Sequence, residues 1–126
     1  MRFNISFLFL LIAFASCTKS SNPSHIDLQK QIDDCENQLK IAVPKLTDLT
    51  KHPRLIDKDK KEWKEVTNDK LIWTSGFYPG VLWYAYDITG NERWKNEAIQ
   101  RTEVFEDFQN ITERHDIGFM MFPAYG

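Results

Sequence analysis

The side chains best placed to do chemistry sit in two short strings, Trp73-Thr74-Ser75-Gly76-Phe77 and His115-Asp116-Ile117-Gly118-Phe119. Each joins polar groups to aromatic rings, and the text between them reads as a pair of helices. The two corners can therefore meet at one end of a helical hairpin, and rings beside a carboxylate and an imidazole make a shallow, sugar-sized site. Asp116 stands at the entry to the apolar run Ile117–Ala124. There burial disfavours its charge while the amides of a helix N-terminus favour it, so its proton affinity is pulled both ways. An acid poised near neutrality can give or take a proton during hydrolysis. The competing reading is structural: Asp is among the preferred N-cap residues, and Asp116 could simply cap the segment that begins at Ile117.

The elements that must position these residues are helical. Between His25 and about Asp48 the apolar residues Leu28, Ile32, Cys35, Leu39, Val43 and Leu46 recur at the spacing of one helix face. Pro44 should end or kink that helix near Val43. Cys35, on the apolar face, is expected to be a small buried hydrophobe. Lys51–Lys70 mixes Asp, Lys and Glu around Trp63 without a clear period and reads as an exposed connector, with His52 beside Pro53 a loop residue rather than a ligand.

Ser75 can cap a helix running from about Gly76 to Ile88, with Pro79 in its first turn and Gly90 as its left-handed stop. Phe77, Val81, Tyr84 and Ile88 share one of its faces, yet it is apolar almost all round, which predicts an inner helix enclosed by neighbours. Asn91 to about Phe108 reads as an outer helix with Trp94, Ala98, Arg101/Thr102 and Phe105 on one stripe. The short turn Thr89-Gly90-Asn91 makes the two antiparallel. Ile117–Ala124 then begins a second inner helix. The apolar text running to Gly126 gives the expectation of a domain cut short.

Composition bounds the partners. With 126 residues, 42% hydrophobic and 27% charged, the chain is of globular type and holds at most one domain. A net charge of -2 and the absence of any basic run interleaved with aromatics argue against nucleic acid. The start of the chain has the layout of an export signal: Arg2, an apolar stretch from Ile5 to Phe14, then Ala15-Ser16 before Cys17. The stretch is too short for a stable membrane helix. Small residues directly before Cys17, followed by the polar Thr18–Ser24, resemble the lipobox of a bacterial lipoprotein, with Cys17 the lipidated residue. The alternative is a plain signal peptide with an incidental cysteine. On the lipoprotein reading residues 1–17 are the signal, 18–24 a tether and 25–126 the domain, exported and held at the periplasmic face or cell envelope through the lipid on Cys17. Cys35 alone then remains, so no disulfide and no cysteine-based metal site can form.

The strings WTSGFYPGVLWYAYDITGNERW and HDIGFMMFPAYG, in this order and one outer helix apart, resemble the amino-terminal part of the unsaturated glucuronyl hydrolases, glycoside hydrolase family 88. The resemblance covers about Trp73 to Gly126, and Asp27 to Lys70 only in helical character. It implies an all-α fold, here the first helical hairpins of an (α/α)6 barrel. It also implies removal of a 4,5-unsaturated uronic acid from the non-reducing end of oligosaccharides left by polysaccharide lyases, with neither metal nor organic cofactor. An acid protonates the C4=C5 bond, water adds at C5, and the hemiketal opens to release the sugar, unlike displacement at the anomeric carbon by two carboxylates.

Carried over by residue, Asp116 matches the family's essential aspartate of the His-Asp pair, His115 its neighbour, and Trp73 the aromatic lining the sugar pocket. The residue resembling the principal acid lies past Gly126, so the 126 residues alone are expected to be inactive. Two other readings stand beside this one: the related unsaturated rhamnogalacturonyl hydrolases, and a non-catalytic surface lipoprotein that binds carbohydrate through exposed aromatics.

Overall fold

The computed structural model describes residues 26–126. The expected signal, tether and lipidated Cys17 lie outside the described residues. Within them the chain is predominantly helical, as the sequence predicts, with one small β-hairpin.

The first helix, α1 (Leu28–Ala42), starts where the Asp27 side chain accepts a hydrogen bond from the Lys30 amide at 3.1 Å. It ends where Pro44 begins a single 3-10 turn, Val43–Lys45. The apolar face of α1 is only partly used. Val43 and Leu46, just beyond its end, are buried and Leu39 packs against the core, but Leu28 is exposed. Cys35 is exposed too, contrary to the expectation of a buried thiol. The face that carries it looks across an open groove rather than onto packed neighbours.

One carboxylate fastens α1 to the rest. Glu36 accepts hydrogen bonds from Asn91 Nδ2 at 2.9 Å, Trp94 Nε1 at 3.1 Å and Lys40 Nζ at 3.0 Å.

The segment read as a connector is a hairpin of β1 (Lys51–Asp57) and β2 (Glu62–Thr67), antiparallel, pairing Lys51 with Thr67 and Asp57 with Glu62, with an irregularity between Pro53 and Leu55. Its turn is made by side-chain chemistry. Asp57 Oδ1 accepts from the amides of Asp59 and Lys60, and Lys61 takes the left-handed conformation at φ 55°. His52 is not a loop residue. It is buried, and its Nδ1 lies 3.0 Å from Asn68 Oδ1. Because Asn68 Nδ2 already donates to the Leu49 carbonyl, Oδ1 is the acceptor and His52 Nδ1 carries the proton. Burial pushes the pKa of this imidazole below its ordinary value.

The helical array follows. A 3-10 turn, Trp73–Gly76, leads into α2 (Phe77–Thr89), which stops at Gly90 in the left-handed conformation, φ 65°. Asn91 then caps α3 (Glu92–Glu103), its side chain accepting from the Arg93 amide at 3.1 Å. A 3-10 turn at Glu106–Phe108 ends the outer segment, and α4 (Ile117–Tyr125) follows a loop. Leu82 of α2 packs with Trp94 and Ala98 of α3 and with Val43. Met120 and Ala124 of α4 pack with Phe105. Burying a side chain the size of Leu82, Phe105 or Met120 stabilises by about 1.5–3 kcal/mol.

Thr102 joins the three helices. Its hydroxyl accepts from Trp83 Nε1 at 3.0 Å and donates to the Ala124 carbonyl at 3.2 Å, while its own carbonyl accepts from the Tyr125 hydroxyl at 3.1 Å. Arg101, also buried, donates to the Leu46 carbonyl, stacks 4.8 Å from the Tyr78 ring and lies 3.7 Å from Glu97. Gly76 abuts Met120 and Gly80 abuts Pro123, so contacts advance together along α2 and α4 and the two run parallel, with α3 returning outside them. This is the inner–outer alternation of the first hairpins of an (α/α)6 barrel.

The expected enclosure of α2 is one-sided. Tyr84 and Ile88, with Phe77 and Val81, remain exposed among the described residues.

Candidate active site

Two glycines four residues apart bring the chemical corners together. A Cβ on Gly76 would lie 1.9 Å from the Met120 carbonyl oxygen, and one on Gly80 would lie 2.8 Å from that of Pro123. Only a residue without a side chain lets the α2 backbone approach α4 so closely. The sequence signal for this approach is the pair of glycines four residues apart in Gly76-Phe-Tyr-Pro-Gly80. Ser75 does not cap α2 as predicted. It is buried, and its hydroxyl donates back to the Ile72 carbonyl, which tightens the 3-10 turn instead.

The close approach sets Trp73, at the mouth of α2, against the first turn of α4. The Trp73 ring meets Phe119 edge to face, with centroids 6.4 Å apart and an interplanar angle of 69°. On its other side it meets Phe77 at 5.5 Å and 85°. Phe119 is three residues past Asp116, and its amide donates to the Asp116 carbonyl at 3.0 Å, so both belong to one helical turn.

Asp116 does occupy the N-cap position of α4, but its side chain accepts no capping hydrogen bond. Its Oδ1 lies 3.1 Å from His115 Nε2 instead, with the Asp116 side chain 34% exposed and the His115 side chain 94% exposed. The carboxylate is thus half-open, one oxygen against an imidazole and none engaged by α4 amides. A group so placed can accept hydrogen bonds from sugar hydroxyls or share a proton with the imidazole. The structure brings Trp73, His115 and Asp116 to the same end of the parallel pair α2 and α4.

A broad open groove of about 1460 Å³ runs between α1, the hairpin and the exposed face of α2, reaching Thr74 and Phe77 but not Asp116. It is mainly apolar, and it adjoins the site rather than containing it. No three His, Cys, Asp or Glu side chains come together as a metal-binding group among the described residues.

No family model matches the sequence. Among curated proteins, the chain is 29% identical over 118 residues to an unsaturated glucuronyl hydrolase of Formosa agariphila, a match that covers 94% of this chain and 29% of the relative. It is 39% identical over 61 residues to an unsaturated glucuronyl hydrolase of Bacillus sp. strain GL1, covering 45% of this chain and 16% of that one. An unsaturated chondroitin disaccharide hydrolase of Streptococcus pneumoniae matches at 36% over 59 residues, covering 44% and 15%. The chain thus spans less than a third of the length of these relatives. In three dimensions it superposes on the crystal structure of an unsaturated glucuronyl hydrolase specific for heparin with a TM-score of 0.68 and 30% identity, over 78% of this chain and 25% of that one. In sequence and in backbone alike, the chain is a relative of the unsaturated glucuronyl hydrolases over the part of their length that it spans.

Proposed function

We propose that the protein to which these residues belong is a glycoside hydrolase that removes 4,5-unsaturated uronic acid from lyase-generated oligosaccharides by hydrating the double bond. In this reading Trp73 forms an apolar wall for the sugar ring. Asp116 accepts hydrogen bonds from sugar hydroxyls and supports a second acid contributed by further residues of the protein. His115 holds the Asp116 carboxylate. The proton goes to C4 and the water oxygen to C5; the hemiketal so formed opens at its ring oxygen to a C5 ketone, and the hemiacetal this leaves at C1 collapses to an aldehyde, breaking the glycosidic bond and freeing the adjoining sugar as an alcohol. Charge developing at C5 is stabilised by a nearby carboxylate.

One observation supports this most: the Asp116 carboxylate, at a helix start where capping would engage it, is left free of the amides and faces His115 beside the Trp73–Phe119 contact. Because the chain spans less than a third of its curated relatives, the activity is proposed for the longer protein, and residues 26–126 alone are proposed to have no turnover. Export and a lipid anchor on Cys17 belong to the same proposal, since lyase products arise where polysaccharide is degraded.

The test is the loss of the ultraviolet absorbance of the unsaturated uronate when the full-length protein is mixed with lyase-generated disaccharides. Steady decay supports the reading. Binding without decay points to a non-catalytic carbohydrate-binding protein, and neither binding nor decay with any unsaturated uronyl disaccharide refutes it.

A further inference from the structure

Phe119 is an unusual residue to find where it is. The burial of α4 is carried by Met120 and Ala124, while Phe119 is 58% exposed, and the ring contact it makes is with Trp73. Trp73 is itself 46% exposed, and its second ring neighbour is Phe77, 41% exposed. The indole thus stands in edge-to-face contact with two phenyl rings, one from each inner helix, with part of its surface open to solvent. A half-exposed indole at a helix mouth has several staggered side-chain orientations open to it. Two edge-to-face neighbours select among them, because each pairing has a preferred angle.

We infer that Phe119 is a positioning residue, which fixes the orientation of the Trp73 indole relative to the Asp116 carboxylate through their shared turn of α4. This rests on the proposed sugar-binding role of Trp73. The hydrogen bond from the Phe119 amide to the Asp116 carbonyl makes the coupling short: when that turn moves, ring and carboxylate move together. Phe77 acts from the opposite side and on the other helix, so loss of Phe119 leaves the indole in place but free to turn.

The experiment uses the full-length protein with Phe119→Ala, Phe119→Tyr, Trp73→Leu and the Phe119→Ala/Trp73→Leu double variant, and an unsaturated uronyl disaccharide as substrate. Phe119→Ala should raise KM about two- to tenfold, the range of one aromatic pairing, with kcat within about twofold. Phe119→Tyr, which keeps the ring edge, should restore KM. In the Trp73→Leu background Phe119→Ala should change KM no further. An unchanged KM in Phe119→Ala, or the same factor with and without Trp73, overturns the inference. Fluorotryptophan NMR of the free protein tests it without substrate. The Trp73 signal, identified by its loss in Trp73→Leu, should broaden or shift in Phe119→Ala and recover in Phe119→Tyr. An unaltered signal overturns the inference even if the protein turns over no unsaturated sugar, an outcome that would count against the proposed function instead.

Discussion

Replacing Gly76 by alanine should do far more damage than a single methyl group suggests. The new Cβ would stand 1.9 Å from the Met120 carbonyl oxygen and 2.6 Å from its carbon, both backbone atoms of α4. No side-chain rotation relieves such a contact, so α4 must retreat by roughly an ångström or more. That helix is pinned by the Thr102 hydroxyl on the Ala124 carbonyl and by the Tyr125 hydroxyl on the Thr102 carbonyl. Overpacking costs about 1–3 kcal/mol, and weakening two such hydrogen bonds costs about 1 kcal/mol each. The expected loss is about 3–5 kcal/mol, enough to lower an unfolding midpoint markedly.

Gly118→Ala is the control. It lies in the first turn of the same helix with nothing within 4 Å of the added atom, and it should be neutral or stabilising by up to about 1 kcal/mol on helix preference. Urea unfolding of the two variants against the parent decides the matter. Equal midpoints for Gly76→Ala and the parent would refute the claim that glycine is what lets α2 and α4 build the Trp73–Phe119 corner.

Other outcomes follow from single groups. Thr102→Val removes the hydroxyl that serves both Trp83 and the Ala124 carbonyl, leaving buried partners unmet, and should destabilise by about 1–3 kcal/mol in the same unfolding measurement. Glu36 is held down to about 2, from an ordinary 4.5, by hydrogen bonds from Lys40, Asn91 and Trp94. With the folded value below the unfolded one, its contribution is complete above pH ~4.5 and disappears as pH falls towards 2, so Glu36→Gln should flatten that stretch of an acid-unfolding curve. Cys35, being exposed, should react with a thiol reagent in the native protein as readily as in the unfolded one. Protection in the native state would contradict its placement.

The helices of the second half were legible because their signals are local. Gly90 stops α2 and Asn91 starts α3 by backbone and cap chemistry contained in three residues, and Ile117 opens α4 where the apolar run begins. What was not legible depends on residues far apart in sequence. The hairpin hides because both its faces are largely solvated, so no alternation marks it, and because Asp57 and Lys61 make its turn in place of an Asn-Gly pair.

His52 is buried only because Asn68, sixteen residues on, meets its Nδ1. Glu36 anchors α1 through Asn91 and Trp94, more than fifty residues away, a pairing that no local pattern around it announces. At the site, the pairing of aromatic and acidic strings was readable. Whether Asp116 caps α4 was not, because an N-cap preference is a tendency that His115 and the geometry of the preceding turn override.

The most direct measurement is the rate at which the full-length protein consumes an unsaturated uronyl disaccharide, compared between the parent and Asp116→Asn. The amide keeps the shape of the side chain but removes its charge and its capacity to carry a proton. The proposed role of Asp116 predicts a fall of about a hundredfold or more, with the unfolding midpoint little changed because the carboxylate caps nothing. An Asp116→Asn protein that worked at the parent's rate would contradict it.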